Sequence, residues 1–449
     1  MMRVEERSEP ADDLKDNHNK YPEYKSTGAE WVGDIPEHWD FVKLNYLFDI
    51  ISGTSPKSEY YTEKEEGLPF LQGNAEFGKL NPNPDRYCTD CPKKSKANDV
   101  LISVRAPVGD LNISDQEYGI GRGLNALRKR RGIEETKFVF YLMNVLTEGL
   151  ELKLSGSTFN SVDRRDIASL RGPLPPAEEQ KAIVNFLDQE TEKIDQLIEQ
   201  KERLIELLAE KREALITRAV TKGLDPDAEM KDSGVEWLGR IPSTWELEKI
   251  KRISSTITTG STPKTSEDRF YDKDEIPWYG PASFSDNFAI NEPSKHISFS
   301  AIEEGEAPLF EKDAVLIVII GATAGKVAYM DHRGSANQQV VAVSFLSSIA
   351  NEKYMAYQLK SLEHVFRELA PNTTLPNLNE RKIKDFVCAV PSIKEQEKIV
   401  EHLDNETQQI DNFVERIRES IEVLTEYRKS LISHAVTGKI DVREEVNAN

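Results

Sequence analysis

Apolar residues recur every seven positions in two long stretches of the chain. In the later one the series is Leu403, Ile410, Ile417, Leu424 and Leu431, widened by Phe413, Val414 and Ile421. In the earlier one it is Leu187, Ile194, Leu208 and Leu215, with Leu197, Ile198, Leu204 and Ile205 alongside and Lys201 interrupting the seam. Neither stretch has an interior Gly or Pro. Pro175, Pro176 and Pro391 precede them, and Gly223 and Gly438 follow, which is how helix starts and stops are punctuated. The pattern predicts helices over 177–222 and 392–438. A sustained seven-residue repeat calls for a partner helix in a left-handed pairing, and each helix is the obvious partner of the other. The alternative is that each lies on its own globular part. At this length a helix spans about 60 Å, so the pair would act as a spacer.

Outside these stretches the apolar runs are short and β-branched. DVLISV (99–104), AVLIVII (314–320), KVAYM (326–330) and VVAVSF (340–345) are bounded by Gly, Asn or Asp and read as strands. Loops rich in Gly, Ser, Thr, Pro and Lys lie between them.

These elements occur twice. TGAEWVGDIPEHWD (27–40) is echoed by SGVEWLGRIPSTWE (233–246), and ISGTSPKSEYY (51–61) by TTGSTPKTSED (258–268). GLPFLQG (67–73) answers to EIPWYGP (275–281), and NDVLISVRAPVGD (98–110) to KDAVLIVIIGATAGK (312–326). The closing segments agree best: LPPAEEQKAIVNFLD begins at 174 and VPSIKEQEKIVEHLD at 390, and the offset of 216 holds through ALITRAVTKGLD and SLISHAVTGKID. The chain is two copies of one unit, each a mixed globular part followed by a long helix.

Composition alters this picture in two ways. The formal charge of −20 argues against a strong nucleic-acid partner for the chain alone. That acidity is uneven, however: residues 20–175 hold 21 basic against 23 acidic side chains and include the basic run Arg128, Lys129, Arg130 and Arg131. Such a run is either a solvated strand end or a phosphate contact. Three cysteines are too few for a disulfide framework, and neither a signal segment nor a membrane span is readable, which predicts a cytoplasmic protein.

The apparent catalytic motifs fail on inspection. In AVLIVIIGATAGKV (314–327), Gly321 and Gly325 are one residue too close for a phosphate loop, and Val327 stands where a magnesium-binding Ser or Thr belongs. Cys88 and Cys91 have half the spacing of a zinc site, but no second pair exists. The seven histidines do not cluster, and NPNPD (81–85) reads as a turn. No catalytic residue and no metal site is expected.

The doubled EW-G-IP-W opening, the GTSPK and GSTPK loops, GSTFNSV (156–162) with NTTLPNL (372–378), and the twin Pro, Glu-Gln, Ile-Val, Leu-Asp ending resemble type I restriction-modification specificity subunits over residues 21–441. That resemblance implies an α+β chain in which two mixed α/β target recognition domains are separated by two long helices forming an antiparallel coiled coil, with an internal pseudo-two-fold repeat. The expected segments are a polar tail (1–19), a first recognition domain (20–176), a first spacer helix (177–222), a second domain (223–391), a second helix (392–438) and a tail (439–449). Each domain would read one half of a split, asymmetric site on double-stranded DNA, and the helices would fix the gap. Adenine methylation and restriction would belong to two methyltransferase subunits and to restriction subunits. S-adenosylmethionine, ATP and magnesium would be held there and no cofactor here. The alternatives are a protein scaffold without DNA readout and an enzyme in its own right.

For base edges, side chains with paired donors and acceptors are needed. Gln72, Asn74, Arg105, Arg122, Asn337, Gln338 and Gln339 are of those types. Lys57, Lys264, Lys326, Ser157, Thr158, Thr373 and Thr374, with the run 128–131, suit the phosphate backbone. For the helix pair, Leu187, Ile194, Leu197, Leu204, Leu208, Leu215, Leu403, Ile410, Ile417, Leu424 and Leu431 are expected to pack.

Overall fold

The structure is a computed structural model that describes residues 18–29, 32–63, 66–130, 132–154, 162–271, 273–370 and 377–444. It packs as two compact units that cut across chain order. One comprises the residues up to 202 together with those from 418 onward, and the other residues 203–417.

In the first unit a four-stranded antiparallel sheet has the order β1, β6, β3, β4, formed by Phe48–Ser52 (β1), Val100–Ser103 (β3), Leu111–Ile113 (β4) and Leu124–Lys129 (β6). A second sheet contains Leu68–Leu71 (β2), whose end runs parallel to Gly119–Ile120 (β5). Helix α1 (Thr136–Leu154) follows, and then helix α2 (Ala177–Lys222) begins. The second unit repeats the plan. Ser254–Thr259 (β7), Ala314–Val318 (β9), Val327–Met330 (β10) and Val340–Phe345 (β12) form a sheet of order β7, β12, β9, β10. Ile276–Tyr279 (β8) runs parallel to Ser335–Ala336 (β11). Helix α3 (Glu352–Ser361) precedes the long helix α4 (Ile393–Val436). The central strands β3 and β9 are buried along their whole length, as their unbroken apolar runs require.

The twin tryptophan motif and the twin Glu-Gln signature form one joint, built twice. Trp39 is fully buried and donates its indole N–H to Glu179 Oε2 at 2.8 Å, while Tyr21 donates to the same oxygen at 3.1 Å. Trp245, also fully buried, donates to Glu395 Oε1 at 2.9 Å. The neighbouring glutamines, Gln180 and Gln396, are fully buried and tie loops to the helix start. Gln180 donates to the carbonyls of Gly132 (2.8 Å) and Pro175 (2.9 Å), and Gln396 to those of Ile349 (2.9 Å) and Pro391 (2.8 Å). About two turns on, Asp188 receives Lys137 and Tyr141 from α1, and Asp404 receives Lys353 and Tyr357 from α3. Each joint is closed by a helix end. Gly223, at φ +73°, lies against Trp245 and Pro242, whereas Gly438, at φ +71°, lies against Trp39 and Pro36. A Cβ at Gly438 would sit 2.3 Å from Pro36 Cδ, so only glycine closes that joint. The first Trp of the opening motif, Trp31, lies outside the described residues.

Within each unit the helix segments run antiparallel. Asp195 pairs with Arg428 at 2.9 Å in the first, and Arg212 with Asp411 at 3.6 Å in the second. The inward positions of α4 alternate by four and three: Leu403, Thr407, Ile410, Val414, Ile417, Ile421, Leu424, Arg428 and Leu431, none of them exposed. In α2 the equivalents are Leu187, Thr191, Ile194, Ile198, Lys201, Ile205, Leu208, Arg212 and Leu215, again none exposed. Two expected packing residues are corrected here. Leu197 is 46% exposed and Leu204 37% exposed, because each stands one residue before a seam position, and Ile198 and Ile205 take the buried places. Phe413, 48% exposed, stands outside the seam in the same way. Among the described residues no helix is long and apolar enough to cross a membrane.

Candidate nucleic-acid interface

In each domain the short parallel strand ends in a tight turn that leads directly into the central sheet. In the first domain this is Gly121–Arg122–Gly123, between β5 and β6. Gly121 N–H donates to Leu71 O (2.8 Å), and Leu124 N–H to Gly121 O (3.0 Å). In the second it is Asn337–Gln338–Gln339, between β11 and β12. Asn337 N–H donates to Tyr279 O (2.9 Å), and Val340 N–H to Asn337 O (3.1 Å). The loops GTSPK and GSTPK cross over these turns. Gly53 N–H donates to Leu124 O and Gly260 N–H to Val340 O, both at 2.9 Å. A Cβ on Gly53 would lie 2.0 Å from Gly121 O, and one on Gly260 2.3 Å from Ala336 O, so the crossings demand glycine.

Two residues beyond each of these glycines is a hydroxyl that meets a glutamine amide, but the two domains supply the amide from different strands. Ser55 and Gln72 exchange hydrogen bonds at 3.2 and 3.4 Å, and Tyr61 adds one to Gln72 Oε1 at 3.3 Å. Thr262 instead donates to Oε1 of Gln338 at 2.7 Å. The space is conserved by exchange: Gln72 fits because its neighbours are Gly121 and Gly123, whereas the second domain has Gly280 in place of Gln72 and sets the Asn337 amide beside it. Asn337 donates to Gln339 Oε1 at 3.1 Å, and Gln339 to Ile320 O at 3.3 Å, so those two amides serve the turn itself.

An open cleft of about 620 Å³ lies in front of the first turn, lined by Ser55, Ser58, Tyr61, Gln72, Arg86 and Arg122 among others. Arg122 is exposed, and among the described residues it has no carboxylate partner. Arg86 is 3.9 Å from Asp85 and was not singled out in the sequence. Its strand, Arg86–Cys88, reaches the cleft only through pairing with β2, a contact with no local signal. Arg105 is exposed as well, and Asn74 donates to Asp110 at 2.6 Å.

Several expected phosphate contacts are committed elsewhere. Arg128 makes two bonds to the buried carboxylate of Asp99, at 2.8 and 3.1 Å. Arg130 pairs with Asp49, and Lys129 donates to Glu134 O at 2.8 Å. Through its hydrogen bond, Asp49 holds the Arg130 guanidinium above its ordinary range. This run therefore closes the far end of β6, about 20 Å from the Arg122 turn. Lys264 is bonded to Glu306 at 2.8 Å, which raises its pKa, and Lys326 to Asp286 at 2.9 Å, which lowers that carboxyl. Lys57 extends into solvent 3.9 Å from Glu59. Arg131, Ser157, Thr158, Thr373 and Thr374 lie outside the described residues.

The cysteines lie in the core. Cys88, Cys91 and Cys388 are free and buried, and burial pushes the Cys91 thiol up to about 12. Among the described residues no group of three His, Cys, Asp or Glu side chains can hold a metal. The native chain is expected to react with a thiol reagent far more slowly than the unfolded chain, which should titrate all three cysteines. Fast labelling of Cys91 in the native state would contradict this burial.

Known proteins share this doubled plan. The family model for the type I restriction modification DNA specificity domain matches twice, over residues 36–207 and 242–423. The putative type I restriction enzyme MjaX specificity subunit of Methanocaldococcus jannaschii is 43% identical over 178 residues, covering 39% of this chain and 41% of that protein. The MjaVIII specificity subunit of the same organism is 23% identical over 434 residues, 91% of this chain and 94% of that one. Among solved structures, a chain from work on complex assembly and conformational transition of the type I R-M system superposes with a TM-score of 0.69 at 17% identity, covering 90% of this chain and 98% of its own. The HsdS subunit from Thermoanaerobacter tengcongensis gives 0.52 at 18% identity over the same shares. With most of its length matched in two successive copies, the chain belongs to the type I restriction modification DNA specificity domain family.

Proposed function

We propose that this chain is the DNA-reading subunit of a type I restriction-modification assembly and performs no chemistry itself. Each domain reads one half of a split double-stranded target, and the helix pair sets the gap. The observation that carries this reading is the doubled turn: one backbone frame, pinned by the same hydrogen bonds, presents Arg122 in one domain and Gln338 in the other. A repeat built for shape alone has no use for two different donor and acceptor sets at one place. The relatives' names, all specificity subunits of type I restriction enzymes, point the same way.

Adenine methylation and restriction then fall to partner subunits, which would hold S-adenosylmethionine, ATP and magnesium. Two methyltransferase subunits are favoured by exposed apolar side chains that recur at the repeat offset. Leu197 answers to Phe413 and Leu207 to Val423, between 44% and 48% exposed. Repeated patches of one kind suit two copies of one partner. The net charge of −20 also favours partners that supply positive surface.

Exchanging residues 20–176 for those of a relative, in the complete assembly, should alter one half of the methylated motif and leave the other half and the gap unchanged. Mapping methylated adenines in host DNA reads this directly. A change in both halves, or in neither, would defeat the modular reading, and absence of salt-sensitive DNA binding would favour a scaffold.

A further inference from the structure

We propose that the turns at 121–123 and 337–339 are equivalent base-reading positions, with the Arg122 guanidinium selecting a guanine and the Gln338 amide selecting an adenine in the major groove. This inference rests on the reading of each domain as the reader of one half-site, and adds to it which side chain does the reading and which base each takes.

Three observations converge on these two residues. The first is rigidity: each turn is fixed by backbone bonds on both flanks and crossed by a glycine that admits no Cβ, so the outward side chain starts from a defined place. The second is availability. Arg128 and Arg130, six and eight residues after Arg122, are consumed by Asp99 and Asp49, whereas Arg122 is exposed and has no acidic partner among the described residues. Likewise Asn337 and Gln339 are tied to each other and to the backbone, while Gln338 between them is exposed.

The third is chemical form. A guanidinium fork donates two parallel N–H groups, which matches O6 and N7 of guanine. Adenine offers an N6 donor beside the N7 acceptor, and a carboxamide is its complement. Thr262 donates to Gln338 Oε1, which fixes the oxygen's side of the amide and leaves one lone pair for N6–H and an amide N–H for N7. In the first domain the equivalent hydroxyl, Ser55, is occupied with Gln72, so the turn is left to arginine. The two halves of the target therefore differ because one turn carries an N–H fork and the other a carboxamide.

The test is adenine-methylation mapping of a genome in which the full chain, with its methyltransferase partner, carries Arg122→Ala, Arg122→Gln or Gln338→Arg. Arg122→Ala is expected to relax one guanine position in one half-site, with discrimination there falling about tenfold to a hundredfold. Arg122→Gln should shift that position towards adenine, and Gln338→Arg should shift one adenine of the other half towards guanine. The inference is overturned if a split motif persists with every position unchanged in these variants. It is also overturned if Arg122→Ala weakens methylation equally at all sequences with a shallower salt dependence, which marks a phosphate contact. A wild-type map with no split motif would instead remove the half-site reading on which the inference stands.

Discussion

Trp39→Ala is expected to lower the stability of the first unit by about 3–5 kcal/mol, the usual cost of emptying a buried aromatic site. The ring is fully buried, and its loss leaves a cavity between the opening segment, the start of α2 and the end of α4. Glu179, only 8% exposed, would lose its indole donor and keep Tyr21 and His38, the latter at 2.7 Å. Burial first and Glu179 second hold the Tyr21 hydroxyl well above its ordinary range, so it remains a donor to that carboxylate. Trp39→Phe should cost less, since it retains most of the packing and deletes the N–H. Urea unfolding of the three proteins checks the order, with amide exchange showing the loss at the 36–39, 179–187 and 435–442 segments. An unchanged midpoint for the alanine variant would mean that this joint does not hold the unit together. Trp245→Ala should reproduce the effect in the second unit, because Glu395 and Gly223 stand to Trp245 as Glu179 and Gly438 stand to Trp39.

Gly53→Ala ranks next. Its new methyl would begin 2.0 Å from Gly121 O and 2.8 Å from Ile120 O, both backbone atoms that cannot rotate away. Either the loop or the turn must move, at about 1–3 kcal/mol for the overpacking. The larger consequence is positional, because Arg122 rides on the displaced turn and a misplacement of about 1 Å is enough to spoil a bidentate contact. Methylation mapping should show degraded discrimination in the first half-site while the second half and the unfolding of the Trp39 joint are little changed. Gly260→Ala should mirror this in the other half, since its Cβ meets Ala336 O at 2.3 Å and Asn337 O at 2.4 Å. Full retention of both half-sites in the two variants would show that the loops are free to yield.

Much of the frame was legible in the sequence because it is written in local periods. The seven-residue series 187, 194, 208 and 215 and its partner 403 to 431 fall on the inward faces of α2 and α4. The companion series was harder: Leu197 and Ile198, or Leu204 and Ile205, are adjacent apolar pairs, and only the facing helix decides which member turns inward. The tryptophan motif was legible as a repeat but not as a joint, since Glu179 is 140 positions from Trp39. The basic run at 128–131 was conspicuous in composition, yet Arg128 and Arg130 are balanced by Asp99 and Asp49, remote acids that no local window brings together. Gln72 and Arg122 could be named by residue type, while the exchange that gives Gln72 two glycine neighbours, and Gly280 the Asn337 amide, exists only once β2 lies beside β5 and β8 beside β11.

The closure of the Trp39 joint by Gly438 also sets an order of events during synthesis. Residues 203–417 form a unit from one continuous length of chain, so every piece of it is available as soon as that length has left the ribosome. The first unit has no such luck: Trp39 is made roughly 400 residues before the helix end that covers it, and before Ile440 and Val442 in the same core. The half of the protein that is translated first is thus the half that finishes folding last. A premature stop or frameshift between residues 418 and 438 would damage the unit that holds Trp39 and spare residues 203–417.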